Sequence, residues 1–100
     1  MCQRFLDLSI TCVVVTFRLD GCLSLKEKRG RLARLRDRHG RSPNIAVFES
    51  GYHDHHDQAE WTFVVAASAP KPVAGMVSRL IDNIEDVDAW VVGLDTEVLD

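Results

Sequence analysis

The sequence has no long hydrophobic run. Its most apolar stretch is Cys12-Val13-Val14-Val15, with Phe17 beyond Thr16, far short of the ~18 apolar residues of a membrane helix. A helical membrane span is therefore not expected, and the β-branched composition predicts a short buried strand. Paired cysteine motifs are missing as well. Cys2, Cys12 and Cys22 are odd in number and widely spaced, with no Cys-x-x-Cys, so three free thiols in a reducing compartment are expected. Arg4 is followed closely by Asp7, and no small-residue cleavage pattern comes after them; no signal peptide and a cytoplasmic location are the expectation. An overall positive excess is absent too, with 12 Lys/Arg against 15 Asp/Glu, whereas nucleic-acid-binding domains usually run basic. None of the four Phe, two Trp and one Tyr lies between residues 23 and 41, so that segment is not expected to stack on bases.

What is present is enough for one modest core. One hundred residues predict a single domain over 1–100, with a leader over 1–7 and a core over about 8–99. A chain of this size buries roughly 60–70% of its unfolded surface. The first strand is expected from Leu8 to Leu19, with Val13, Val15, Phe17 and Leu19 on one face and Leu6, Leu8, Ile10 and Cys12 apolar on the opposite register. Asp20-Gly21 is a turn signal. A helix follows from Ser24 to His39, with Gly40 as its C′ residue and Gly30 in its interior costing about 1 kcal/mol relative to alanine. Leu25, Lys28, Leu32, Leu35 and His39 fall on one stripe at helical spacing and are expected to face the sheet. Strand two is expected over Ile45–Ser50 with Ile45, Val47 and Glu49 in phase, and strand three over Glu60–Ala67. A second helix starting near Pro70 should bury Val73, Val77, Leu80, Ile81 and Ile84. Strand four is expected over Ala89–Val98, with Trp90, Val92 and Leu94 alternating.

The order β-α-β-β-α-β predicts an α+β ferredoxin-like sandwich: a four-stranded antiparallel sheet with both helices on one face. Strands one and three, apolar on both sides, belong in its middle. The other face would carry Val14, Thr62, Val64 or their neighbours, which predicts a homodimer or another partner packing there.

Charge is concentrated in the first helix. Ser24 and Glu27 have the spacing of a capping box. Segment 23–41 holds eight Lys/Arg against two acids, Glu27 and Asp37. Arg31, Arg34, Arg38 and Arg41 are expected on the stripe opposite the buried one, flanked by Lys26, Lys28 and Arg29. Clustered arginines attract phosphates by charge and bidentate hydrogen bonds, so this helix is the candidate surface for structured RNA, read through its backbone and shape. The alternative is a solvated face paired with the protein's own acids.

Ser24-Leu25-Lys26-Glu27-Lys28-Arg29 after a strand, then Asn44-Ile45-Ala46-Val47-Phe48-Glu49, then Gly51 to Asp54 and Ala59-Glu60, resemble the YlxP-like family of small bacterial proteins, a domain of unknown function. The resemblance covers about residues 8–99. The loop departs from that family's pattern at Tyr52, His53, His56, Asp57 and Gln58. The resemblance implies a ferredoxin-like fold and hints at association with RNA, rRNA or a ribosomal subunit. It implies no established activity.

Three other constellations stand out in the chain. His53, His55 and His56 beside Asp54 and Asp57 are ligand types suited to zinc, nickel or copper, with Glu49 or Glu60 available nearby, although no recognised zinc spacing is present. Glu49, Asp54 and Glu60 form an acidic cluster expected to pair with arginines of the first helix. Arg18-Leu19-Asp20-Gly21 stands where an acylphosphatase-type enzyme has a phosphate cradle, but the glycine-rich loop is missing and Asp20 would repel phosphate. No catalytic group, cofactor or small-molecule substrate is assigned. The expectation is a non-enzymatic RNA- or ribosome-associated accessory protein. The alternatives are an assembly module dimerising through its apolar sheet face and a metal-binding module at the histidine loop.

Overall fold

Ten residues from Ser9 to Arg18, mostly β-branched or apolar, form the first strand, β1. The computed structural model describes residues 8–99; the leader expected over 1–7, with Cys2 and Leu6, lies outside the described residues. After β1 come α1 (Leu25–His39), β2 (Ile45–Gly51), β3 (Gln58–Ala67), α2 (Pro70–Asn83) and β4 (Trp90–Leu99). The strands make one sheet in the order β2-β3-β1-β4, antiparallel at every pairing. This is the expected ferredoxin-like α+β arrangement, with β1 and β3 central.

The core follows from the period-two pattern of the two central strands. Val13, Val15 and Phe17 of β1 and Ala59, Trp61, Phe63 and Val65 of β3 point to the helices and are buried. Leu32 and Leu35 of α1, Val73 and Leu80 of α2, and Ile84 close over them. Each such large aliphatic side chain contributes about 1.5–3 kcal/mol of transfer free energy. Residues of opposite parity (Ile10, Cys12, Val14 and Thr16 on β1, Thr62, Val64 and Ala66 on β3) are half-buried on the face that carries no helix.

The buried stripe of α1 is the expected one: Lys28, Leu32, Leu35 and His39 are buried, and Leu25 is partly so. Ser24 caps the helix, its Oγ accepting from the Glu27 amide at 3.0 Å. The reciprocal half of a capping box is not made, because the Glu27 carboxylate sits 3.5 Å from Arg31 Nη1. Gly40 is not a left-handed C′ residue. Its φ is −70° and its amide donates to Arg36 O. Space is what requires glycine there, since a Cβ would lie 2.5 Å from Arg36 O. Gly21, at φ +71°, is the position where the turn itself needs a left-handed residue.

Strand β4 departs from simple alternation. Thr16 lies opposite Gly93 and Phe17 opposite Val91, so Val92 is an extra residue in the ladder. This bulge separates what the sequence pattern grouped. Trp90 lies opposite Arg18 on the open face, whereas Leu94 lies opposite the buried Val15. Trp90, Val92 and Leu94 are all exposed, Trp90 because it lies on the face without helices and Leu94 because the helices cover the edge strand β4 only in part.

Candidate nucleic-acid interface

The candidate site is α1, and its geometry starts at the buried Lys28. Helical periodicity places Lys28 in line with Leu32 and Leu35, so its aliphatic stem packs inward and its ammonium must find partners. It finds three. Nζ lies 2.9 Å from Glu49 Oε2 and donates to Tyr52 O at 2.9 Å and Gln58 O at 3.1 Å. With a side chain only 3% exposed, Lys28 cannot serve as a surface contact for RNA, which corrects its expected role. Burying an ammonium requires both a counter-charge and satisfied donors, and the turn end of the β2–β3 hairpin supplies them. The acidic residue Glu49 therefore pairs with the helix lysine, not with the expected arginines.

The same hairpin loop is drawn to the β1–α1 loop. The Leu19 amide donates to Asp57 O at 2.8 Å. His56 Nδ1 donates to Cys22 O at 2.7 Å, and His53 Nε2 to Glu49 O at 3.1 Å. Tyr52 takes a left-handed φ of 57°, a conformation costing a non-glycine residue about 1–2 kcal/mol. Its carbonyl accepts from both Lys28 and the His55 amide, and its ring meets that of His55 edge-on. His53, His55 and His56 thus each have a separate structural partner. No group of three or more His, Cys, Asp or Glu able to hold a metal ion occurs among the described residues. The three histidines, the weaker metal-binding alternative, are engaged separately by two backbone carbonyls and the Tyr52 ring.

The arginines of α1 divide between two flanks. Arg31, Arg34 and Arg38 lie on one flank and meet the α2–β4 turn. Arg31 Nε donates to Asp88 O at 2.8 Å, and its Nη1 donates to Asp20 O at 2.9 Å; with only 16% of its side chain exposed, it is also paired with Glu27 and Asp88. Arg34 and Arg38 share one carboxylate, Asp86, at 3.5 and 2.6 Å. The groove on this flank, about 650 Å³, contains Arg31 and Arg34 but also Glu27, Glu85, Asp86 and Asp88. Three of the four arginines of the expected stripe, Arg31, Arg34 and Arg38, are thus paired with the protein's own acids, the alternative given for this face.

On the other flank stand Lys26, Arg29 and Arg36, all exposed. Among the described residues none of the three, nor Arg41, has a carboxylate within ion-pair distance. Arg36 lies over the Trp61 ring, 5.6 Å from its centroid. Arg36 carries no role in the sequence-based expectation, because Trp61, on the helix-facing side of β3, is twenty-five residues further along the chain and no local pattern pairs them. At the C-terminal end of α1, His39 packs edge-on against Phe63 at 5.5 Å. Burial lowers its pKa below the ordinary 6.5, and the adjacent Arg38 charge lowers it further, so the imidazole is neutral at pH 7. No helix among the described residues is long and apolar enough to cross a membrane.

Comparison with known proteins matches residues 10–96 to the family described as "Protein of unknown function (DUF503)". No curated protein matches the chain. Among solved structures, the chain is similar to "De novo designed protein Foldit4", with a TM-score of 0.61 at 10% identity over 94% of this chain and 98% of that one. That likeness concerns the fold alone.

Proposed function

This chain belongs to the DUF503 family, and from that premise we propose that it is a non-enzymatic accessory protein that binds structured RNA through α1, with rRNA or a ribosomal subunit as the partner. The observation that supports this reading is the uncompensated charge of the helix surface and the turn after it. Lys26, Arg29 and Arg36 of α1, and Arg41 just beyond it, are without carboxylate partners among the described residues, and Arg34 and Arg38 share a single one. An acidic chain that keeps such a density of unpaired cations on one helix has a surface suited to phosphates. The finer assignment to the YlxP-like group within the family is part of the same proposal. It rests on Ser24–Arg29, Asn44–Glu49, Gly51, Asp54, Ala59 and Glu60. Lys28 and Glu49, from two of these segments, meet in the buried ion pair.

The test is co-sedimentation with purified ribosomal subunits at low and high salt. The reading expects binding at low salt that is lost at high salt. Absence of binding at low salt contradicts it.

A second reading, assembly through the sheet, is favoured by a separate observation. The face without helices presents Phe48 and Trp90, 46% and 62% exposed, beside half-buried Ile10, Val14 and Val64. A homodimer covering this face predicts a two-protomer mass in solution that Val14→Lys reduces to one. A monomeric mass for the unaltered protein removes this reading.

A further inference from the structure

We infer that the phosphate contact on α1 is made by Arg29 and Arg36, flanked by Lys26 and backed by Trp61, and not by the Arg31–Arg34–Arg38 flank. This rests on the RNA-binding reading and narrows it to one side of the helix. Four observations converge. First, Arg29 and Arg36 line one small pocket of about 160 Å³ with Leu32, Ala33, Asp37 and Trp61; two cations face one carboxylate, and neither arginine is in an ion pair with it. Second, the opposite groove sets four carboxylates against two arginines, so a phosphate entering there would meet net negative charge. Third, Arg36 sits over the Trp61 ring. That contact restrains the guanidinium while leaving its N–H groups free to form a bidentate pair with phosphate. Fourth, Trp61 Nε1, in the ring beside this pocket, is the one buried side-chain nitrogen or oxygen among the described residues without a hydrogen-bond partner.

The spacing suits a backbone tracked along its length. Lys26, Arg29 and Arg36 lie along one side of the helix and span about 15 Å at 1.5 Å per residue. Small Ala33 between them leaves the pocket open. Arg29 and Arg36 contact phosphates by charge and hydrogen bonding. Trp61, only 7% exposed, supports Arg36 and is too enclosed to stack on a base.

The experiment uses a fluorescein-labelled hairpin RNA as probe and follows binding anisotropy across a salt series. The proteins are the unaltered chain, Arg29→Ala/Arg36→Ala and Arg34→Ala/Arg38→Ala, with circular dichroism confirming that each is folded. The slope of log K against log salt should shrink in magnitude by about 1.4–1.8 in Arg29→Ala/Arg36→Ala, the loss of two phosphate contacts, and stay near the unaltered value in Arg34→Ala/Arg38→Ala. Arg36→Lys should keep the slope, since charge remains. In a Trp90→Phe background, RNA should change the fluorescence of Trp61. If the slope falls in Arg34→Ala/Arg38→Ala and not in Arg29→Ala/Arg36→Ala, the placement is overturned while RNA binding itself stands. If the unaltered chain shows no salt-sensitive binding, the RNA reading fails and this inference fails with it.

Discussion

Replacing Lys28 with methionine should be among the most damaging single changes outside the apolar core. Methionine preserves most of the stem volume but removes an ammonium that meets Glu49 at 2.9 Å, Tyr52 O at 2.9 Å and Gln58 O at 3.1 Å. The carboxylate left behind is only 23% exposed, and two carbonyls lose a donor. Breaking a fully buried pair costs about 3–5 kcal/mol. Partial exposure of Glu49 lets water recover some of that, so about 2–4 kcal/mol is expected. For a domain of this size the melting temperature should fall by roughly 10–25 °C. Urea unfolding followed by tryptophan fluorescence measures the loss. A double-mutant cycle with Glu49→Leu identifies its source. Because Lys28→Met/Glu49→Leu leaves no orphaned charge, it should be more stable than Lys28→Met alone. Lys28→Met within about 0.5 kcal/mol of the unaltered protein, the range of an ordinary surface change, would show that the ammonium is not buried in a closed set of partners.

Other perturbations separate the physical causes argued above. Gly30→Ala should stabilise by up to about 1 kcal/mol, because a Cβ there meets nothing within 4 Å. Gly40→Ala should destabilise, because a Cβ there clashes with Arg36 O; equal thermal shifts for the two would contradict the steric account. Ser24→Ala should cost about 1 kcal/mol in urea unfolding through loss of the cap, and no change would mean that the Glu27 amide is satisfied otherwise. His39 has its pKa lowered in the folded state, so the unfolded chain binds the proton more readily. The stability it contributes is present above the unfolded value near 6.5 and is lost as pH falls from there through the lower folded value. The stability difference between the unaltered protein and His39→Leu should therefore shift against the unaltered protein across that window, and a difference independent of pH would place His39 in a water-exposed setting.

Much of this architecture was legible because it rests on local periodicity. The alternation of Val13, Val15 and Phe17, the helical spacing of Lys28, Leu32, Leu35 and His39, and the Ser24 cap are properties of neighbouring residues, and each appears in the fold as expected. What was not legible depends on partners distant in the chain. Nothing local to Arg34 and Arg38 announces Asp86, and nothing local to Arg36 announces Trp61. Lys28 fits the buried stripe by position, but only the folded hairpin shows that Glu49 and two carbonyls make its burial tolerable. The Val92 bulge has the same origin, since an extra residue in one strand is defined only by the register of the strand beside it. The histidine loop illustrates the converse. Its composition suits metal, yet backbone carbonyls and a neighbouring ring occupy the side chains separately.

The most direct test of the account is the salt dependence of hairpin-RNA affinity for the unaltered chain. Contacts from Lys26, Arg29 and Arg36 predict a linear fall of log K with log salt, with a slope of about −2 to −3. A flat dependence, or no measurable affinity at low salt, would contradict a phosphate-binding surface on α1.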